Sequence, residues 1–488
     1  MPERPKRQAS AKTQSGRRLA SRKIIASAER PASAARSAAL SALVALRKPK
    51  GPGLEDALDA YSARYPLSPA DLGLARELAA GTTRHRRWLE LVLERYLERP
   101  LPGAAVAVHE ILLMGIYQSA FLERLPSHAI VDDSVRLVSE YRTEQTYRGL
   151  VNAILRKTSS APREALAPGA DAPWPLRHSV PDWIASEAGQ CFPRESLPEL
   201  FAAVNAPAPL HLRLRPGTGN DDLAHLRERL EGEVAYLTHS PVQIEAGSFL
   251  PQCLRVAGPG IAPDRLPLFK SGRLTVMDEG AQVAAALAGA RPGMRVLDVC
   301  ASPGGKTAAL WDAMEARGEL TALDVSEEKL ERMRGTLRRL RCEDAVRLRL
   351  ADEAHGALPE RGFDLVVIDA PCSGLGTLRR HPEIRWRRSH ADVTRLAAAQ
   401  AEILDRWAPR VAPGGVLLYC VCTFTRIEGA HQVRRFLARH GEFAPAPAPE
   451  GLPFDAEPLR IAPGVWRTAP HPHGCDGFVV ARLRRRAE

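Results

Sequence analysis

A chain of 488 residues is too long for one hydrophobic core and predicts about three domains. Its 45% hydrophobic content is ordinary for a globular protein, and no run approaches the roughly 18–20 apolar residues of a membrane span, which argues against a membrane partner. The net charge of +11 sits in residues 1–50, with 13 Lys or Arg against two Glu, so the other 438 residues balance and the tail alone reads as a polyanion binder.

Residues 1–33 are rich in Ser, Ala and Arg and predict a disordered basic tail. A solvated tail without a partner and a transit peptide are the other readings of that composition. The start lacks the apolar core of a secretory signal. The eight cysteines form no C-x-x-C pair, so no metal site is signalled, and scattered thiols predict a reducing, cytoplasmic setting. Residues 34–160 read as an all-α domain, with Val108, Ile111, Leu112 and Ile116 at helical spacing. Pro100 and Pro102 punctuate it, and Pro126 is predicted to end a helix. Residues 161–276 read as a linker and a small α/β domain. The linker is proline-rich over 161–175, and a helical region follows at 183–204. Leu210, Leu212 and Leu214 then alternate with His211, Arg213 and Arg215 as a half-buried strand.

Over 277–488 strand candidates at 295–299, 320–324, 346–350, 364–369 and 416–419 alternate with helices, the clearest at 326–340 and 392–411. Such alternation predicts a doubly wound parallel sheet with helices on both faces. The fold class is therefore α/β, a Rossmann-like domain behind an all-α domain and a small intervening α/β domain. A single-chain monomer is the expected state.

Three of these strands end in residues that carry chemistry. The first runs into Cys300-Ala301-Ser302-Pro303-Gly304-Gly305-Lys306-Thr307, a glycine turn opening a helix, which puts backbone N–H groups at a ligand. The turn lacks G-x-G-x-x-G, and a P-loop would need glycine where Cys300 stands, so neither a dinucleotide nor a triphosphate site is signalled. Asp298 precedes the turn. Asp324 ends the next strand, where a carboxylate accepts the two ribose hydroxyls of a nucleoside. Asp352 follows the third strand and is a candidate for an adenine amino group. The fourth strand ends in Asp369-Ala370-Pro371-Cys372-Ser373-Gly374 and the fifth in Tyr419-Cys420-Val421-Cys422-Thr423. Two thiols at the ends of adjacent parallel strands face one crevice, where open α/β sheets bind ligands.

These three runs resemble the core motifs of the RNA (cytosine-C5) methyltransferases of the RsmB/Sun type, within the NOP2/Sun superfamily. The segment 380–386 and Asp476-Gly477-Phe478, with Ala481 and Leu483, are similar to further family segments. Ile116-Tyr117-Gln118 and the run from Gly149 to Arg156 resemble the NusB-like RNA-binding domain that precedes the bacterial enzyme, and Pro181 and Trp183 the stretch that joins the two. The chain departs from the family at Met277 before Asp278, at Cys420 and Val421, and at Gly429 after Glu428.

The resemblance implies S-adenosylmethionine, held by the turn from Cys300 to Lys306 with Asp324, Asp352 and Asp369. It implies that Cys422 attacks cytosine carbon 6, that Cys372 assists release, that Asp369 bonds the cytosine edge, and that Lys306 orients Asp369 or the base. It implies RNA as partner, ribosomal RNA before transfer RNA. An inactive NusB-like ribosome-assembly factor is the rival from another class. Cys191, Cys253, Cys342 and Cys475 read as small core residues, Cys300 as packing beside the cofactor, and Cys420 as facing the side of Cys422. Arg379, Arg380, Arg385, Arg387 and Arg388, interleaved with His381 and Trp386, suit phosphate contact with base stacking.

Overall fold

Ala35, Ala38, Ala39, Ala42 and Leu43 repeat at helical spacing and are fully buried, which puts α1 (Ala34–Leu46) at the centre of a helical domain. The computed structural model of the chain describes residues 32–487 other than 124, 141, 170, 216–221, 239–242 and 258–260. The predicted disordered tail lies almost wholly outside the described residues. α1 packs on α2 (Leu54–Arg64), α3 (Pro69–Arg84) and α5 (Val106–Phe121). α4 (Arg86–Glu94), α6 (Ser127–Glu140) and α7 (Arg148–Ser160) complete the domain around one core. Pro126 does not end a helix. Its carbonyl accepts the N–H of Ala129 and Ile130, so it opens α6, where a proline's missing N–H costs nothing.

Two helices, Asp182–Gly189 and Leu197–Asn205, form the predicted helical region. Val180 just ahead of them and their Ile184, Leu200, Phe201 and Val204 do not build a core of their own. They pack on Leu375, Leu378 and Phe424 of the catalytic half. The small sheet follows, in the order β2 (Gln243–Ala246), β3 (Cys253–Ala257), β1 (Leu210–Leu214) and β4 (Leu274–Val276), with Leu212 and Leu214 buried against the helix Leu223–Thr238.

The run Leu365-Val366-Val367-Ile368 is buried throughout, as a strand covered on both faces must be. It forms β8 (Phe363–Asp369). Parallel to it lie β5 (Arg295–Val299) on one side and β9 (Val411–Val421) on the other, and β6 (Glu319–Asp324) and β7 (Val346–Leu350) extend the sheet beyond β5. The helix predicted over 392–411 stops at Trp407, and Val411 already belongs to β9, because Pro409 and Pro413 cannot continue a helix. The expectation of an all-parallel sheet is corrected past β9. There β13 (Val479–Arg485) pairs antiparallel, followed by β12 (Val465–Arg467) and β11 (Arg460–Ala462), with β10 (Phe443–Pro445) also on β13. The result is a mixed Rossmann-like sheet. Among the described residues no helix is long and apolar enough to cross a membrane.

Candidate active site

Chain reversal straight after β5 forces an unusual backbone. Cys300 sits at φ +60°, a left-handed conformation that a side chain resists, and Gly304 at φ +97°. Gly304 N–H bonds Ala301 O, and the helix Gly305–Ala313 begins with no side chain capping it. A Cβ placed on Gly305 would meet nothing within 4 Å, so open space lies at the helix's free N–H groups. Asp298, fully buried beneath the turn, accepts Thr307 Oγ1 at 2.6 Å on one oxygen and has no partner on the other. Burial pushes its carboxyl up to about 7.

Asp324 ends β6 and is 2% exposed. It accepts Ser302 N at 3.0 Å, Val325 N at 2.7 Å and Lys329 Nζ at 3.0 Å. The first bond ties this carboxylate to the glycine turn. Val325 beside it is an apolar side chain left 66% exposed. Asp352 is placed differently from its expectation. It sits in the first turn of the helix Ala351–Ala357, its side chain 86% exposed and paired with Arg406 at 2.9 Å.

The two thiols meet. Cys372 Sγ and Cys422 Sγ are 3.3 Å apart. The contact with Cys422, then burial, raises the Cys372 thiol well above its ordinary value. Lys306, reaching back from the helix start, donates to Asp369 Oδ2 at 2.7 Å and stands over the Phe478 ring at 4.9 Å. Burial opposes its charge, but Asp369 and the neighbouring thiols hold Lys306 above its ordinary value. Cys420 Sγ lies 3.5 Å from Asp369 Oδ1, so strand alternation does turn it toward this cluster, and burial raises its thiol well above the ordinary range. Burial also pushes Cys300 up to about 12, which fits packing at the turn.

Glu428 and Gly376 brace the loops that carry the thiols, a part the sequence did not assign to them. Glu428, fully buried, accepts Ser373 N at 2.8 Å, Ser373 Oγ at 2.6 Å, Thr425 Oγ1 at 2.7 Å and Gln400 Nε2 at 3.0 Å. Ser373 Oγ also meets Thr423 Oγ1 at 2.8 Å. The residues that follow each thiol are therefore bound to one carboxylate and to each other. Gly376 N–H donates to Cys422 O at 3.0 Å and Gly376 O accepts Gly477 N–H at 2.9 Å. The sequence signal for Glu428 was its place six residues past Cys422, and nothing in the spacing tells that its partners come from Ser373.

The basic stretch differs from its expectation in one respect: its side chains are engaged with protein groups, and Arg385 is buried. Arg385 is 1% exposed and donates to Arg84 O at 3.1 Å and Asn205 Oδ1 at 2.7 Å. Trp386 Nε1 donates to Thr83 O at 2.7 Å, and Arg387 to Pro52 O at 2.7 Å and to Gly51 O. Arg379 donates to Pro207 O at 2.8 Å. Arg380 bridges Asp278 at 2.7 Å and Asp476 at 3.0 Å, and Asp278 also meets His211 Nδ1 at 2.7 Å. Arg388 Nε bonds Ser373 O at 3.3 Å. Arg379, Arg385, Trp386 and Arg387 thus fasten the catalytic domain to the residues before it, while Arg380 and Arg388 brace the catalytic domain itself.

Comparison with known proteins gives the family. The family described as 16S rRNA methyltransferase RsmB/F matches residues 285–484, and the NusB family matches residues 33–160. The ribosomal RNA small subunit methyltransferase B of Serratia proteamaculans is 31% identical over 426 residues, covering 86% of this chain and 91% of its own. The chain belongs to the RsmB family of ribosomal RNA small-subunit methyltransferases. The enzymes of that name from Yersinia enterocolitica and Pasteurella multocida are also 31% identical, over 92% and 90% of their lengths. Among solved structures, PH0851 shares the fold with a TM-score of 0.74 at 21% identity, over 92% of this chain and 99% of that one. NSun6 from Pyrococcus horikoshii shares it at 0.51 and 18%, over 63% and 99%.

As an RsmB-family RNA methyltransferase the protein uses S-adenosylmethionine. The residues present fit that group. Open space at Gly305, free helix N–H groups, the Asp324 carboxylate and the exposed apolar Val325 together suit a nucleoside carrying a charged amino-acid tail.

Proposed function

We propose that this enzyme methylates carbon 5 of a cytosine in small-subunit ribosomal RNA through a covalent bond between Cys422 and carbon 6. The observation that carries the reading is the pair of thiols 3.3 Å apart beside an Asp369 held by Lys306. Carbon 5 of cytosine is a poor nucleophile. Addition of the Cys422 sulfur to carbon 6 makes an enamine whose carbon 5 is electron-rich. Asp369 accepts from the cytosine edge and stabilises the charge that develops there, with Lys306 fixing its orientation. The cofactor supplies an electrophilic methyl group on a sulfonium. Carbon 5 then carries both its proton and the new methyl.

That proton must leave so that the ring re-forms and the bond from carbon 6 to the Cys422 sulfur breaks. Cys372 is the group at hand. Its proton is held chiefly by the contact with Cys422. Once Cys422 is a thioether that contact is gone, so Cys372 gives up its proton more readily and a thiolate is at hand when a base is required. A base reached from both faces must be unstacked, so single-stranded or flipped RNA is the substrate form. Asp324 and the turn from Cys300 to Lys306 hold the cofactor. Asp352 joins them only by exchanging Arg406 for an adenine amino group.

Two substitutions test the roles. Cys422→Ser is expected to abolish methyl transfer, because a hydroxyl is a far weaker nucleophile than a thiolate. Cys372→Ala is expected to accumulate a protein–RNA adduct that survives a denaturing gel. The reverse pattern would exchange the assignments. Bisulfite sequencing of ribosomal and transfer RNA from a deletion strain, read for the disappearance of one 5-methylcytosine, tests the base and the RNA class together.

A further inference from the structure

We infer that the amino-terminal helical domain is a positioning device for the release thiol, acting through the short helix Ile384–Arg387, as well as a domain for meeting RNA. The inference rests on the covalent reading given above for the step it affects.

The contacts run without a gap from that domain to Cys372. On one side the helix is clamped by backbone carbonyls of the amino-terminal domain: Thr83 O takes the Trp386 N–H, Arg84 O takes Arg385, and Gly51 O and Pro52 O take Arg387. Leu54 N–H donates to Glu383 Oε1 at 3.3 Å, and Arg84 Nη2 to Arg379 O at 3.3 Å. On its other side the helix touches the thiol loop directly. A Cβ on Gly374 would stand 2.9 Å from Ile384 Cδ1, so Ile384 already fills the space against the residue two beyond Cys372. Arg388, just past the helix, bonds Ser373 O at 3.3 Å. The loop is thus held from below by Glu428 and from outside by a helix that the amino-terminal domain fixes.

The chemistry of the clamp favours positioning over incidental contact. A guanidinium buried like that of Arg385 is costly unless each donor is met. Here Nη1 and Nη2 find carbonyls and one amide oxygen, Nε finds no partner, and burial lowers the group to about 9. Carbonyl acceptors do not move independently of their backbone, so the geometry is set by the fold of the helical domain. A loop shifted by about 1 Å from such a remote cause slows its step on the order of tenfold to a hundredfold.

The test is a double-mutant cycle in the full-length protein. Arg387→Met removes the donors to Gly51 and Pro52. Gly51→Ala disturbs the same acceptors, because its Cβ would lie 2.3 Å from Ala45 O. The expected result is that each slows resolution of the adduct about tenfold, that the double variant is no slower than either, and that RNA affinity in filter binding stays within twofold. Should Gly51→Ala fail to fold, Trp386→Phe, which removes the N–H that Thr83 O accepts together with part of the ring, takes its place in the cycle. Unchanged resolution, additive slowing, or a loss confined to RNA affinity would overturn the inference. If wild type and Cys372→Ala both form no adduct, the covalent reading has failed. The cycle is then scored on single-turnover methyl transfer, where the same non-additive slowing is expected and its absence rejects the clamp.

Discussion

Asp324 satisfies three donors at once, and one of them is replaceable. Ser302 N and Val325 N are backbone groups fixed by the turn, whereas Lys329 is a half-exposed side chain that ribose hydroxyls can displace. Asp324→Ala removes both the turn's tie and the acceptor. Hydrogen bonds to a charged group are worth roughly 1.5–3 kcal/mol each, so cofactor affinity by calorimetry is expected to fall at least about tenfold. An unchanged affinity would remove Asp324 from the cofactor site. Asp298 gives a pH prediction. Its carboxyl rises from 3.8 to about 7 on folding, so between those values the folded chain holds a proton that the unfolded chain has released. Stability from this group is therefore present below about pH 4 and is lost as pH rises to 7. Asn at this position carries no charge to bury. The melting temperature of Asp298→Asn relative to wild type is expected to climb across that window in calorimetric scans, and a constant difference would contradict the assignment. At this scale the thiols and the turn were legible, because cysteine and glycine in those runs have few other uses. The five arginines were not. Composition shows a cation but not whether its partner is a phosphate or a buried carbonyl.

β8 and β9 end side by side, and the loops beyond them depend on two small features. Gly376→Ala would put a methyl 1.9 Å from Gly477 O and 2.9 Å from Cys422 O. Overpacking against backbone costs roughly 1–3 kcal/mol, and it falls on the contact that aligns Cys422. Urea unfolding should show that destabilisation and activity should drop with it, whereas full activity would mean that the loops are set elsewhere. Glu428→Gln replaces a carboxylate on which four donors converge by an amide with one acceptor oxygen, so two of the donors lose their acceptor. An unmet buried group costs about 1–3 kcal/mol. The turnover rate is expected to fall while cofactor affinity stays, since Glu428 touches the thiol loops and not the turn. The strands and their order of chemistry could be read from apolar runs and their endings. The antiparallel return of β13 could not, because alternation along a strand carries no sign of its direction.

The charge of the whole chain makes a separate prediction. Residues 1–50 hold all of its excess, and in the basic stretch near Cys372 Arg385, Trp386 and Arg387 donate to the amino-terminal domain. Deleting residues 1–31 is therefore expected to weaken RNA binding at low salt. It should also flatten the salt dependence by about 0.7 in slope for each phosphate that the tail no longer neutralises. Turnover at saturating RNA should hold. A filter-binding titration with an unchanged slope would make the tail a bystander. The helical domain, the small sheet and the catalytic sheet were foreseeable as separate patterns of periodicity. Their mutual attachment was not, since it depends on side chains meeting backbone across about 300 residues of sequence, as Trp386 meets Thr83.

β13 is drawn from the last residues of the chain, yet it lies between β12 and β9, and the turn before it supplies Gly477 to Gly376. Synthesis runs from the amino terminus, so both cysteines and the cofactor turn leave the ribosome before the strand that completes their setting. A chain cut before β13 therefore carries every reactive group but lacks the strand that pairs with β9 and the Gly477 N–H that Gly376 O accepts.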